Sequence, residues 1–393
     1  MINFNKHVNI GILGAGTMGA GIAQVAAQAG HNVVICDVDT KAAKEAVNKI
    51  TADLMRLVEK GKIENHDVND IIERIITTDK IEDFAPCGLV IEAIIEDISV
   101  KKQVFANLEN IVRETCFLAS NTSSLSICSI ASACSYPERV IGLHFFNPAG
   151  ILPLVEIIPS ILTGKEIAPI LYELMKEWKK VPVIAKDTPG FIVNKVARPF
   201  YGEALRIYEE GIADFAAIDN AMKSLGGFRM GPFELMDLIG NDVNYKVTET
   251  VFKEFYFDAR YRPSITQKRY VEAGLLGRKT GRGFYDYPID PAIAESHLEN
   301  STAHIIFDRI LSMLINEAAD TLHRGIATKE DIDLAVTKGV NYPKGLFRWA
   351  DEIGIDKIYS HLKSLYNVYL EERYRPSPLI RKMAEKGVTF YND

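Results

Sequence analysis

The run Gly11-Ile-Leu-Gly-Ala-Gly-Thr-Met-Gly19 leaves this chain few folds to choose from. Val8 to Leu13 reads as a buried parallel strand, and Gly14, Gly16 and Gly19 form the Gly-x-Gly-x-x-Gly turn of a βαβ unit that binds a dinucleotide. The first glycine permits the turn and the second lets the backbone approach a pyrophosphate. The third lets the following helix, Met18 to Ala29, pack on the strand. Thr17 and Met18 open that helix, whose first N–H groups point at the phosphates. Gly30-His-Asn stops it, and Val33 to Cys36 forms the next strand. Asp37 follows Gly19 by eighteen residues, near the spacing of a carboxylate that accepts both ribose hydroxyls. Such a carboxylate repels a 2′-phosphate, so NAD is favoured over NADP.

At 393 residues the chain has room for two or three domains, and its net charge of −7 supplies no basic footprint for nucleic acid. A ligand rich in phosphate would need local Lys and Arg, and Lys60 and Lys62 are candidates. The first residues show no leader pattern, and no apolar run approaches the ~20 residues that span a bilayer, so no membrane is expected. Cys36, Cys87, Cys116, Cys128 and Cys134 are odd in number and lack metal-ligand spacing. A reducing, cytoplasmic setting and no metal are the expectation.

From residue 8 to about 185, apolar strand-like runs alternate with helical ones. Leu89 to Ala93, Cys116 to Ser120, Val140 to Phe145, Val155 to Ile158 and Val181 to Ile184 join the first two strands in a doubly wound α/β sheet. Lys186-Asp-Thr-Pro-Gly190 ends this pattern, and glycine-marked helices follow. Those helices repeat: residues 188–244 align with 302–358 at a constant offset of 114. The offset matches Glu203-Ala204 with Glu317-Ala318, Asp219 with Asp333, Gly231 with Gly345, Asp237 with Asp351 and Gly240 with Gly354. The expectation is a Rossmann-type domain at 1–186, an all-α domain at 187–290, and a second copy of it at 300–393. An acidic, proline-bearing segment from Asp286 to Asn300 precedes the second copy.

Four segments concentrate polar groups at strand ends and helix starts: Ser120-Asn-Thr-Ser-Ser-Leu125, His144-Phe-Phe-Asn-Pro148, Leu154-Val-Glu156 and Thr188-Pro-Gly-Phe-Ile-Val-Asn194. In open α/β sheets ligands bind beyond the carboxyl ends of the strands. Taken singly, His144 reads equally well as a satisfied structural histidine, Ser123 as a cap, Glu156 as a surface acid and Asn194 as a turn residue.

Together with the glycine turn, these segments resemble the L-3-hydroxyacyl-CoA dehydrogenases. The resemblance runs from about Val8 to Tyr287, and SNTSSL, GLHFFNP, LVE, DTPGFIVN and MGPFEL stand in the family's order. It implies NAD-dependent oxidation of an (S)-3-hydroxyacyl-CoA, with His144 as general base and Glu156 as its carboxylate partner. Ser123 and Asn194 are implied to bind the reacting part of the acyl-CoA, and Glu96, Lys101, Asn147 and Lys279 to contact the cofactor. Val196-Ala-Arg-Pro-Phe-Tyr201 and Asp237-Leu-Ile-Gly-Asn-Asp-Val-Asn244 look like the branch that uses 3-hydroxyadipyl-CoA or 3-hydroxybutyryl-CoA in fatty-acid or aromatic-acid breakdown. An imidazole suits the chemistry, because its pKa of ~6.5 matches proton transfer near neutrality.

Gly150 and Pro153 stiffen the segment between His144 and Glu156. The second copy carries Ala303, His304 and Asp308 where the first has Pro189, Gly190 and Asn194, so its expected role is structural, an internal stand-in for a dimer partner. Its candidate covering face is the helix from Ile305 to Ile315 with Leu346, Phe347 and Trp349. Further homo-oligomers stay open. Two other functions compete: a non-catalytic NAD-binding protein on the same fold, and a dehydrogenase of free 3-hydroxy acids.

Overall fold

A computed structural model describes residues 8–289 and 299–391. The first seven residues, and most of the acidic segment before Asn300, lie outside the described residues. The chain divides between Thr188 and Pro189 into two compact units.

The first unit is built on an eight-stranded sheet in the order β3-β2-β1-β4-β5-β6-β7-β8. The strands are β1 (Asn9–Leu13), β2 (Val33–Cys36), β3 (Ile75–Thr78), β4 (Cys87–Glu92), β5 (Phe117–Ser120), β6 (Val140–Phe145), β7 (Leu154–Ile158) and β8 (Val181–Ile184). The first six run parallel. β7 turns back antiparallel to β6, and β8 runs parallel to β7. This reversal is what the expected doubly wound sheet did not contain. Every residue of β6 and β7 is buried, as a sheet covered on both faces requires. Helices α1 (Thr17–Gln28), α2 (Thr40–Glu59), α3 (Asn65–Glu73), α4 (Ile98–Ile111), α5 (Ile127–Ala131) and α6 (Ile167–Glu177) link the strands.

The loop between β6 and β7 is held from below. Lys180 Nζ donates to the carbonyls of Ala149 and Leu152, and burial lowers this ammonium's pKa to about 8. The stiffness expected around Gly150 and Pro153 therefore comes as much from a buried lysine as from the local sequence.

The second unit is helical: α7 (Val193–Val196), α8 (Arg198–Glu209), α9 (Phe215–Gly226), α10 (Pro232–Ile239), α11 (Asn241–Glu254), α12 (Ile265–Glu272), α13 (Asn300–His323), α14 (Lys329–Gly339), α15 (Leu346–Ile353), α16 (Ile355–Tyr369) and α17 (Pro378–Lys386). Local structure recurs where the sequence repeats. The Asp219 carboxylate accepts from Phe233 N and Glu234 N at 2.8 Å each and from Tyr285 Oη at 2.8 Å. At the matching place Asp333 accepts from Phe347 N at 3.0 Å, Arg348 N at 3.4 Å and Tyr391 Oη at 3.1 Å. Asp237 takes the amides of Phe284 and Tyr285, and Asp351 those of Phe390 and Tyr391. Gly231 and Gly345 lie against Asp219 and Asp333, where an added Cβ would stand 2.3 Å from the nearest atom.

The long helix α13 packs on α8 and α9. Its apolar stripe begins at Ile306, since Ile305 is 55% exposed, and runs through Ile310, Leu314 and Ile315. Trp349 stacks on Phe228 at 5.6 Å between centroids, and Tyr342 meets Phe228 and Phe200. Of Leu346, Phe347 and Trp349, Trp349 reaches α9's C-terminal neighbour Phe228, whereas Phe347 packs on Phe390. Among the described residues no helix is long and apolar enough to cross a membrane.

Candidate functional site

Because β1, β2, β4, β5 and β6 are parallel, their carboxyl ends share one edge, and the candidate residues of the first unit collect there. Hydrogen bonds tie neighbouring loops along this edge. Gly14 N donates to Cys36 O at 2.8 Å, Ala93 N to Leu13 O at 2.7 Å, and Asn121 N to Glu92 O at 2.8 Å. Phe145 N then donates to the Asn121 side chain at 2.8 Å. The glycine turn and the end of β6 are thus joined through two intervening loops.

At the glycine turn, Gly14 has φ +103°, and a Cβ there would stand 2.6 Å from Ala93 O. A Cβ on Gly19 would stand 1.9 Å from Gly14 O. Gly16 is different, since a Cβ added to it would meet nothing within 4 Å. Open space over that backbone is what a pyrophosphate needs, and no side chain caps the helix that Thr17 and Met18 begin. Asp37 Oδ2 accepts from Ala15 N at 2.7 Å, and its Oδ1 from Asp39 N at 3.0 Å. Its half-buried carboxylate therefore stands against the turn. Cys36 precedes it, with its thiol pushed up to about 11 by burial and by Asp37, too high to serve as a nucleophile near neutrality.

His144 on β6 and Glu156 on β7 are directly opposite in the antiparallel register. Nδ1 of His144 lies 2.7 Å from Oε2 of Glu156, with the two residues 6% and 0% exposed. A carboxylate can only accept from Nδ1–H, and in the neutral ring that tautomer places the lone pair on Nε2. The Phe146 ring lies beside the imidazole at 4.4 Å. Asn147 follows, exposed on the loop.

Ser123 sits on the loop after β5, which is organised by Glu96. Glu96 Oε1 accepts from Thr122 Oγ1 at 2.6 Å, Ser123 N at 3.0 Å and Ser123 Oγ at 3.3 Å. Lys101, expected at the cofactor, is 0% exposed, with Nζ 2.5 Å from Glu92 Oε1 and 3.4 Å from Glu96 Oε2. Glu92 also accepts from Ser120 Oγ at 2.7 Å and Ile94 N at 2.7 Å. Glu96 and Lys101 therefore shape the loop that carries Ser123. Asp187 performs a similar task, accepting from Ile127 N at 3.0 Å and Cys128 N at 2.7 Å at the start of α5.

Sequence reasoning missed Glu92, Asn121 and Asp187. The available signal for Glu92 was an acid ending an apolar strand; for the other two, an amide and a carboxylate inside motifs whose neighbours drew the attention. Lys60, the C-cap of α2, and Lys62 are exposed. Asn194 and Lys279 belong to the second unit. Asn194 lies on α7, after two left-handed residues, Gly190 at φ 72° and Phe191 at φ 47°. Lys279 is exposed and its Nζ is 2.6 Å from Asp242 Oδ1.

Comparison with known proteins is consistent over most of the chain. Residues 9–188 match the family model for the 3-hydroxyacyl-CoA dehydrogenase NAD binding domain. The model for the C-terminal domain of 3-hydroxyacyl-CoA dehydrogenase matches residues 190–287 and 305–389. The chain is 36% identical to 3-hydroxyadipyl-CoA dehydrogenase of Escherichia coli K12, covering 95% of this chain and 97% of that one. It is 40% identical to 3-hydroxybutyryl-CoA dehydrogenase of Clostridioides difficile, covering 71% of this chain and 99% of the relative. The crystal structure of 3-hydroxybutyryl-CoA dehydrogenase from E. coli K12 superposes with a TM-score of 0.91 at 35% identity, over 97% of this chain and 98% of that one.

The buried Glu92–Lys101 pair can be tested apart from any ligand. Lys101→Met strands a carboxylate inside the sheet edge and is expected to lower the unfolding free energy by about 3–5 kcal/mol in a urea titration without nucleotide. A loss below about 1 kcal/mol would mean that the pair is not what holds this loop.

Proposed function

The chain belongs to the 3-hydroxyacyl-CoA dehydrogenase family, and on that premise we propose how its own residues carry out the NAD-dependent, reversible oxidation of an (S)-3-hydroxyacyl-CoA to the 3-oxoacyl-CoA. The His144–Glu156 bond at the carboxyl edge of the sheet carries the proposal. Oxidising a secondary alcohol requires a proton to leave oxygen as hydride leaves carbon. His144 Nε2 accepts that proton, and Glu156 holds the tautomer and stabilises the imidazolium that forms. Ser123 and Asn194 bind the substrate's hydroxyl and thioester oxygens and fix the reacting carbon in place. Glu96, through its bonds to Ser123, sets the direction of that hydroxyl.

The residues at the glycine turn fit NAD. Gly14, Gly16, Gly19 and the first turn of α1 would hold the pyrophosphate, and Asp37 the ribose, with Glu96, Asn147 and Lys279 completing the contacts and buried Lys101 acting through Glu96. The nicotinamide supplies the hydride acceptor when bound. Lys60 meets the CoA phosphates. The relatives named above make 3-hydroxyadipyl-CoA or 3-hydroxybutyryl-CoA the preferred substrate class. Five free thiols suit a reducing cytoplasm.

We further propose that the second unit contains two copies of one helical domain, 187–290 and 300–393, paired as an internal pseudo-dimer. The recurring Asp219 and Asp333 bonds support this, as does the match of one family model to both stretches. The ion pairs support it independently. Lys195 meets Glu317, and Arg309 meets Glu203 at 3.0 Å. At the offset of 114, Arg309 stands where Lys195 does, and Glu317 where Glu203 does. That reciprocity is the signature of a two-fold contact. The copies are not equivalent, because Arg206 of α8 and its C-cap Glu210 correspond to Asp320 of α13 and its C-cap Arg324, with the charges reversed.

His144→Gln should keep NADH affinity while lowering kcat with acetoacetyl-CoA by ~10²-fold or more. Wild-type turnover would remove His144 from the mechanism. Native protein should prefer NAD over NADP in kcat/KM by about tenfold or more, corresponding to ~1.4 kcal/mol, and Asp37→Ser should narrow the gap. Equal use of both nucleotides by the native chain would place Asp37 away from the ribose. For the pseudo-dimer, truncation after residue 299 should yield an aggregating or newly dimeric protein, while Asp308→Ala in the full chain leaves kcat unchanged. A monomeric truncation with full activity would count against the pairing.

A further inference from the structure

Lys195 is a fully buried lysine that the proposed chemistry does not use. Lysines are almost never fully buried unless paired. Its Nζ donates to Glu317, to Thr321 Oγ1 at 2.9 Å and to Asp320 Oδ2 at 3.3 Å, all on α13. The rings of Phe255 and Tyr261 flank it at 5.8 and 6.0 Å. Glu317 is held in turn by the Tyr261 hydroxyl and by Arg260 Nη1 at 3.4 Å. Charges balance in this cluster: Lys195, Arg260 and Arg324 face Glu317, Asp320 and Asp258.

The residue before Lys195 is Asn194. Both sit on α7, a helix of four residues, too short to hold its own conformation. The chain enters α7 through left-handed Gly190 and Phe191, and a non-glycine residue in that conformation persists only where its surroundings over-determine it. A Cβ on Gly190 would stand 3.1 Å from Lys195 N, so the turn is wound tightly against its own entry. Consecutive helical residues project about 100° apart. Fixing the Lys195 ammonium therefore fixes the rotation of α7, and with it the direction of Asn194.

We propose that Glu317, assisted by Asp320 and Thr321, is a positioning residue for the dehydrogenase reaction: it anchors Lys195 from the second half of the unit and so aims Asn194 at the acyl-CoA. The proposal rests on the reading that Asn194 binds the reacting part of the substrate. It gives the second half a kinetic role without a reacting group, since misplacing a binding group by about 1 Å can cost as much as 10²-fold in rate.

The molecule contains its own control. Glu203 and Arg309 form the corresponding pair at the offset of 114, similarly buried, but Arg309 follows Asp308 in the chain, where Lys195 follows Asn194. In the full chain, Glu317→Gln should lower kcat for acetoacetyl-CoA reduction by about 10-fold or more, with NADH affinity unchanged and partial recovery in Glu317→Asp. Glu203→Gln should lose comparable thermal stability yet keep kcat near the native value. Equal kcat losses in the two Gln variants would reduce Glu317 to a structural role and overturn the proposal, as would native kcat in a folded Glu317→Gln. Should Glu317→Gln not fold, Thr321→Val removes one acceptor at constant charge. A several-fold loss of kcat there supports the anchor, and native kcat overturns it. Asn194→Ala separates the premise from the inference: native kcat in that variant defeats the Asn194 reading itself, whereas a loss there beside native kcat in Glu317→Gln defeats only the positioning.

Discussion

A buried carboxylate can lie against His144 because the chain reverses direction once at the right place. Parallel strands are joined by crossovers of a dozen or more residues, whereas an antiparallel neighbour can be reached by a short loop. The reversal from β6 to β7 sets Glu156 opposite His144 in register, and both are sealed by the strands around them. The imidazole still sits at the carboxyl edge of the sheet, where the parallel strands deliver the glycine turn, Asp37 and the Ser123 loop. A satisfied polar pair buried this deeply fixes the orientation of the imidazole ring.

Much of this was legible in the sequence, for a physical reason. The glycine turn is local, and its required conformations are written into Gly14, Gly16 and Gly19. β2, β6 and β8 fall where their apolar runs begin and end. β3 was not read because it is a short edge strand, Ile-Ile-Thr-Thr, with Ile76 61% exposed and no continuous apolar run. The direction of β7 was also hidden, since an apolar run has no polarity of its own.

The site divides along the same line. His144 and Glu156 stood out as residue types suited to proton transfer, and the family resemblance gave them roles. Glu92, Asn121 and Asp187 did not, because their partners Ser120, Phe145 and Cys128 lie tens of residues away in the chain. Lys101 shows the converse. The family pattern assigns it to the cofactor, and only the fold reveals that Glu92 and Glu96 hold its ammonium beneath the Ser123 loop. The helical repeat was visible because its acids and glycines make local bonds that recur with the sequence. The ion pairs Lys195–Glu317 and Arg309–Glu203 join residues 122 and 106 positions apart, which no local pattern records.

The reversed charges at Arg206 and Asp320, and at Glu210 and Arg324, bear on how such a chain can change over generations. In a symmetric dimer each substitution at the contact appears twice, so a residue near the two-fold axis meets itself and a charge placed there repels its own copy. A tandem chain is free of that restriction. One side of the contact can become acidic and the other basic in separate steps, and Asp308 can replace an asparagine in one half while Asn194 stays in the other. Once the two faces have diverged, neither serves as well against a copy of itself, and the covalent link becomes hard to reverse. One chain then keeps Asn194 in a single setting, beside a surface that can be tuned independently of it.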